Sequence, residues 1–233
     1  MKRLSACIAA AFWIALAGAA HADKPVIVVE LFTSQGCSSC PPADAFLHKL
    51  AKREDVIALS LHVDYWDYIG WKDVFGDPRN TARQKGYAKA GHRRSVYTPQ
   101  MVIQGREHVV GNHPLDVAEL INAHQEQPLA VALVASQTGG EVTIKANAGA
   151  PSGGVMVVQL VRFERSATVD IKRGENAGQE ITYVNVVRDW QVVGEWDGSK
   201  PLLLKTAAKG DLPAVVIVQG KGYGRIMAAA RVN

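Results

Sequence analysis

The sequence predicts an α/β domain of order β-α-β, helical insertion, β-β-α, followed by an all-β, sandwich-like domain. Three observations predict it. Two β-branched apolar runs, at residues 25–32 and 56–63, flank a helical segment. A strand–glycine–strand hairpin near residues 100–110 precedes one more helical period. Beyond Gln127-Pro128 the helical periods stop, and short β-rich runs follow one another between glycine turns.

The elements follow in order. Residues 25–32 (PVIVVELF) read as a buried parallel strand, apolar on both faces. Residues 33–40 form a small polar loop. Pro41 and Pro42 then fit a first helical turn, where a missing N–H costs nothing, and Phe46, Leu47 and Leu50 give the helix its apolar face. Residues 56–63 (VIALSLHV) are the second buried strand. An insertion at about residues 64–97 is rich in aromatics, with Tyr65, Trp66, Tyr68, Trp71, Phe75, Tyr87 and Tyr97. Inside it, Asp77-Pro78 marks a helix start that runs to about Ala90 before Gly91. Gly105-Arg106 turns the next strand into its partner, and Pro114 opens the last helix. The predicted boundaries are residues 1–22, 23–127 and 128–233. In the last, nine strand runs are expected, at 129–135, 141–146, 155–163, 168–172, 181–187, 191–196, 201–205, 214–219 and 225–232.

Residues 1–22 read as a cleaved export signal. Lys2 and Arg3 supply its positive start, an uncharged apolar run follows, and Ala20-His21-Ala22 offers a small-x-small cleavage site. Cleavage after Ala22 leaves 211 of the 233 residues, enough for a full core. Lys2 and Arg3 leave with the signal, so the 26 basic residues fall to 24 against 22 acidic ones. A balance of +2 gives no reason to expect a nucleic-acid partner, and no later run is long enough to insert in a membrane. The expected location is the periplasm or the exterior.

Cys7 also leaves with the signal, so the mature chain keeps only Cys37 and Cys40. In an oxidising compartment the two are expected to form a disulfide with each other. Closing so short a loop removes little chain entropy, about 2 kcal/mol, which makes a structural staple a poor use of the pair. A Cys-x-x-Cys pair at a helix N-terminus has a chemical use instead. The helix dipole favours a thiolate, which attacks a substrate disulfide, and the second cysteine resolves the mixed disulfide. Cys37 is the expected nucleophile and Cys40 the resolving thiol.

These residues resemble the thioredoxin-like superfamily. The resemblance is carried by Val28-Val29-Glu30-Leu31-Phe32, Gly36-Cys37-Ser38-Ser39-Cys40-Pro41 and Tyr97-Thr98-Pro99-Gln100-Met101-Val102. More closely, Glu30 through Asp44, His62-Val63-Asp64-Tyr65-Trp66-Asp67 and Val96 through Met101 resemble a family of exported bacterial proteins of unknown function. Those proteins join a thioredoxin-like domain to a β-rich region, and the likeness covers nearly all of the mature chain. The superfamily resemblance implies a cis Thr98-Pro99 bond against the cysteine pair, with the Thr98 backbone helping to bind substrate peptide. Thioredoxin itself has Trp before the first cysteine and Gly-Pro between the two, where this chain has Gly36 and Ser38-Ser39. Pro99 also lies 59 residues after Cys40, farther than in a minimal domain.

Glu30, a carboxylate in an otherwise apolar strand, is a candidate proton acceptor for Cys40, because burial raises a carboxyl pKa. Its alternative role is a reach to solvent or to a basic partner. The leading reading is an exported thiol–disulfide oxidoreductase that needs no cofactor beyond its redox-active disulfide. Its partners are a protein or small-thiol disulfide substrate and an unidentified electron donor or acceptor. Two alternatives stand beside it: a copper-binding protein or metallochaperone using Cys37, Cys40 and His62, and a binding protein with an inert disulfide. The aromatics from Tyr65 to Phe75 either line a peptide groove or pack the insertion.

Overall fold

The computed structural model describes residues 25–149, 153–208 and 210–233. The expected leader, with Cys7 and the cleavage site after Ala22, lies outside them. Among the described residues, no helix is long and apolar enough to cross a membrane.

The first half consists of β1 (Ile27–Thr33), α1 (Pro41–Leu50), β2 (Val56–His62), α2 (Pro78–Ala90), β3 (Gln100–Ile103), β4 (Glu107–Val110) and α3 (Pro114–Gln125). β1 and β2 pair in parallel and are buried throughout, which is why neither shows an apolar–polar alternation. Their side chains nevertheless divide by the two-residue period of a strand. Ile27, Val29, Leu31, Val56 and Ala58 pack against Ala43, Leu47 and Leu50 of α1 and Val117 and Ile121 of α3. Val28, Phe32, Ile57, Leu59 and Leu61 pack on the other side with Tyr87 of α2. α2 begins where Asp77 caps it, its carboxylate accepting the Arg79 N–H at 2.8 Å.

The second half is all strand: β5 (Val131–Thr138), β6 (Glu141–Ala148), β7 (Met156–Asp170), β8 (Glu180–Trp196), β9 (Leu202–Ala207), β10 (Ala214–Gly220) and β11 (Ile226–Arg231). The nine expected runs become seven strands, because two pairs of runs are continuous. β7 and β8 form one long antiparallel hairpin, and its bulges at Val158/Gln159 and Arg162/Phe163 interrupt the alternation that a sequence pattern would follow.

The expected sandwich is present only locally, and it is not a separate body. One mixed sheet of order β11-β10-β7-β8-β2-β1-β3-β4 runs through both halves, with a three-stranded antiparallel sheet β5-β6-β9 beside it. The halves join where Ser60 of β2 pairs with Val186 of β8 and the Asn185 side chain donates to the Ala58 carbonyl at 2.9 Å. The large sheet curls until its β11 end meets β1 and the turn after β3, near its other end. Ile226 N–H donates to the Gln104 carbonyl at 2.9 Å, and the Gln104 side chain binds Ile226 O and Val28 N in turn. β10 therefore has no solvent face. Val215 and Ile217 enter the core with Val28 and Phe32. Ala214, Val216 and Val218 enter a second core with Val142 and Ile144 of the small sheet.

Candidate functional site

The loop that leaves β1 delivers both cysteines to the start of α1. Cys40 occupies the N-cap position in helical geometry, and its carbonyl accepts the N–H groups of Ala43 (2.9 Å) and Asp44 (3.1 Å). Cys37 N–H donates to Ser34 O and Cys40 N–H to Cys37 O, so the loop is two consecutive turns. Cys37 and Cys40 are disulfide-bonded, with their Cα atoms 5.4 Å apart. Ser38 and Ser39 face solvent, and the Ser39 hydroxyl lies 3.5 Å from Cys37 Sγ. Pro41 and Pro42 bring no N–H groups, which removes two of the donors a helix start normally offers a thiolate. The helix dipole and Ser39 remain for that task.

The Thr98–Pro99 peptide bond is cis. Pro99 lies near the start of α1: a Cβ at Gly111 would stand 3.1 Å from both Pro99 Cβ and Ala43 Cβ, and Ala43 is three residues past Cys40. Thr98 Oγ1 accepts the Trp66 indole N–H at 2.8 Å. Trp66 in turn stacks on Tyr68, which is 80% exposed.

Two segments outside the β-α-β core cover the loop. The insertion approaches Gly36 so closely that a Cβ there would meet Trp66 Cβ at 3.1 Å and Ile69 at 3.2 Å. No larger residue fits before Cys37 without moving Trp66. From the other half comes the turn between β7 and β8, where Asn176 donates through Nδ2 to Gln35 O (2.8 Å) and Cys37 O (3.0 Å). Cys37 is consequently only 1% exposed and Cys40 fully buried. Replacing Asn176 with alanine strips both carbonyls of a donor. The expected result is a several-fold faster reduction of the disulfide by dithiothreitol, with a stability loss of about 1–3 kcal/mol. An unchanged reduction rate would show that this turn does not control access.

Beneath the disulfide lies a buried polar cluster. Asp44 sits one helical turn beyond Cys40, 3% exposed, and accepts a hydrogen bond from Thr33 Oγ1 at 3.1 Å. Thr33 pairs across the sheet with His62, which shares its face. His62 Nδ1 is 2.7 Å from Asp73 Oδ2, and its ring stands edge-on to Phe75 (5.2 Å) and Tyr183 (4.7 Å). Asp73 reaches back to the cysteine loop by accepting the Gln35 N–H at 2.8 Å. Burial pushes the Asp44 carboxyl up to about 7, against the opposing pull of His62 and Thr33. Burial also raises Asp73, but the His62 charge and the hydrogen bonds it accepts outweigh that and hold it below the ordinary carboxylate value. Asp44 Oδ1, His62 Nε2 and Ser60 Oγ are buried with no hydrogen-bond partner.

Glu30 lies on the opposite face of β1, with Val28 and Phe32 toward α2. Arg83 of α2 holds it through two contacts (2.5 and 3.0 Å), and Tyr87 Oη donates to it at 2.6 Å. Arg83 also reaches Gln159 of β7 and Gln219 of β10 and lies 3.7 Å over the Trp190 ring. The basic-partner role is the one the structure shows for Glu30. Cys37 and Cys40 are bonded to each other, Thr98 is tied to Trp66 of the insertion that covers Gly36, and Glu30 is held by Arg83 and Tyr87 on the other face of β1. His62 is near the loop but is committed to Asp73, and among the described residues no group of three His, Cys, Asp or Glu side chains could hold a metal ion.

Sequence reasoning missed Asp44, Asp73 and Asn176. One signal pointed to Asp44: it falls in the stripe Ala43, Leu47, Leu50 that packs on the sheet. An acid on a buried helix face is as unusual as Glu30 in a strand.

A family model described as "Protein of unknown function (DUF1223)" matches residues 28–219. None of the curated proteins matches the chain. Among solved structures, protein AGR_C_4864 from Agrobacterium tumefaciens is 39% identical, with a TM-score of 0.77 over 90% of this chain and 94% of that one. HBP35 of Porphyromonas gingivalis is 15% identical, with a TM-score of 0.62 over 89% of this chain and 74% of that one, a likeness of fold alone.

Proposed function

The chain belongs to the family described as protein of unknown function DUF1223, and we propose that it works as an exported thiol–disulfide oxidoreductase. Its first half is then a thioredoxin-like unit, extended by the insertion and by the strands of the second half. What supports this reading is a four-residue disulfide at a helix N-terminus in a chain whose Thr98–Pro99 bond is cis and lies near the start of the same helix. Neither feature adds much to a core already buried on both faces of β1. Both suit a reversible bond presented to an extended polypeptide. Tyr68 and Trp66, stacked next to Thr98, provide an aromatic surface where such a polypeptide would lie.

In the proposed reaction the Cys37 thiolate attacks a substrate disulfide and Cys40 displaces the substrate from the mixed disulfide. Cys37 comes first because its Sγ lies beside the solvent-facing Ser39, whereas Cys40 is the N-cap residue of α1. Substrate entry requires the turn at Asn176 to yield. In the Cys40→Ser variant the resolving thiol is gone, so substrates accumulate on Cys37 as mixed disulfides. Non-reducing gels of the exported fraction, followed by mass spectrometry, should show adducts that vanish in the Cys37→Ser/Cys40→Ser double variant. A Cys40→Ser protein that captures no adduct and resists alkylation at Cys37 would remove the enzyme reading and leave the disulfide inert.

A further inference from the structure

We propose that Asp44, backed by the His62–Asp73 pair, is the proton acceptor and donor for Cys40 in the Cys37–Cys40 couple. This deepens the redox reading above and rests on it. Glu30 was the expected acid, but its oxygens are occupied by Arg83 and Tyr87 on the far face of β1. Asp44 is better placed. It lies four residues past Cys40, and residues so spaced are neighbours on one side of a helix. Its backbone N–H holds the Cys40 carbonyl, both residues are buried, and one carboxyl oxygen has no partner.

The groups facing Asp44 are Thr33 from β1, His62 from β2, Asp73 from the insertion and Tyr183 from β8. On its own helix, His48 is turned away to the Thr182 carbonyl. The basic group near Asp44 is thus His62, and its own partner is Asp73. The buried His62 Nε2 lacks a partner, as does Asp44 Oδ1, so the cluster has an open acceptor and an open ring nitrogen on the face it shares with α1. His62 and Asp73 act as positioning residues, setting the charge that Asp44 feels and tying it through Gln35 to the cysteine loop.

The balance of the step is simple. When the mixed disulfide resolves, Cys40 Sγ–H gives its proton to the ionised Asp44 carboxylate. The Cys40 sulfur forms a bond to Cys37 Sγ, the bond between Cys37 and the substrate sulfur breaks, and the substrate leaves as a thiolate that takes a proton from water. Two cysteine thiols have become one disulfide, and the substrate disulfide has become two thiols. In reverse, protonated Asp44 returns the proton to the Cys40 thiolate.

The test uses the reduced mature chain and the aromatic disulfide 5,5′-dithiobis(2-nitrobenzoate). Release of the first thiolate reports attack by Cys37, and release of the second reports resolution by Cys40. The resolution rate should climb through a step near pH 7, where the Asp44 carboxyl ionises. In Asp44→Asn the step should vanish and resolution should slow by roughly 10²-fold, the lower range for a lost general base. In Glu30→Gln the step should persist. Thr33→Val keeps the carboxylate but removes its hydrogen bond, so the step should move to higher pH, a shift that simple damage to the fold would not produce. An unchanged profile in Asp44→Asn, or its loss in Glu30→Gln, overturns the assignment to Asp44. Absence of the first release in the wild type overturns the redox reading beneath it.

Discussion

Replacing Arg83 with alanine should cost about 3–5 kcal/mol of folding free energy, the range for stripping a buried ion of its partner. Glu30 is fully buried and Arg83 nearly so, and the guanidinium is shared among β1, β7, β10 and the Tyr87 hydroxyl. It also covers the Trp190 ring, so the substitution forfeits a cation–π contact with the charge. The loss is shared by both halves, because Arg83 stands where the α2 face of β1 meets the curled end of the sheet. In a protein of this size each kcal/mol shifts the midpoint by about 2–4 °C, so a fall of about 10 °C is expected. A double-mutant cycle separates the pair from its surroundings. In that cycle Glu30→Gln or Arg83→Met alone leaves one buried charge without its counter-charge, whereas Glu30→Gln with Arg83→Met removes both charges and should recover much of the loss. Denaturant unfolding of the four proteins measures this directly. A single-variant loss below about 1 kcal/mol, or strict additivity in the cycle, would show that the pair does not join the halves.

How much of this was legible beforehand varies with the kind of signal. β1, β2, α1 and α2 were readable because each carries a local cause: unbroken apolar runs, paired prolines, or an Asp77-Pro78 cap. The hairpin β3–β4 was readable from its glycine turn. The joining of the halves was not. An apolar run such as Ala214 to Val218 says that both faces are covered, but not by what, and here the two faces belong to different cores. Between β2 and β8 the link is a short parallel contact at Ser60 and Val186 plus one asparagine side chain, which leaves no trace in periodicity. The cysteine loop was legible because spacing alone puts Cys37 and Cys40 within bonding reach. Its surroundings were not, since Asp73 and Asn176 come from 33 or more residues away and look like ordinary loop residues. Arg83 lies on α2, the helix read from its Asp77-Pro78 start. Nothing local says that its charge is paired with a strand more than 50 residues upstream.

Asparagine at position 44 should make the protein more stable than the natural aspartate at neutral pH, and by an amount that depends on pH. In the unfolded chain Asp44 titrates near its ordinary value of 3.8, and in the fold near 7. Between those values the native state holds a proton that the unfolded state has released. The stability that comes from this group is therefore complete below about pH 4 and is lost as the pH rises through 7. At about 1.4 kcal/mol per unit, the loss approaches ~4 kcal/mol above pH 7. Asparagine has the same shape and no ionisation, so the variant escapes that loss. The difference in unfolding free energy between Asp44→Asn and wild type should thus grow by several kcal/mol from pH 4 to pH 8 and stay level beyond. Titrating groups away from the cluster are common to both proteins and cancel, whereas Asp73 interacts with Asp44 and is part of the difference. A pH-independent difference would mean that the carboxyl ionises in the fold as it does in water, and the buried cluster would lose its reason to carry a proton. This measurement needs no substrate and holds whatever the cysteines do. If the difference does grow, the chain keeps at position 44 an acid that weakens its own fold at neutral pH. A stability cost located one helical turn from a disulfide is what a site selected for proton transfer would show.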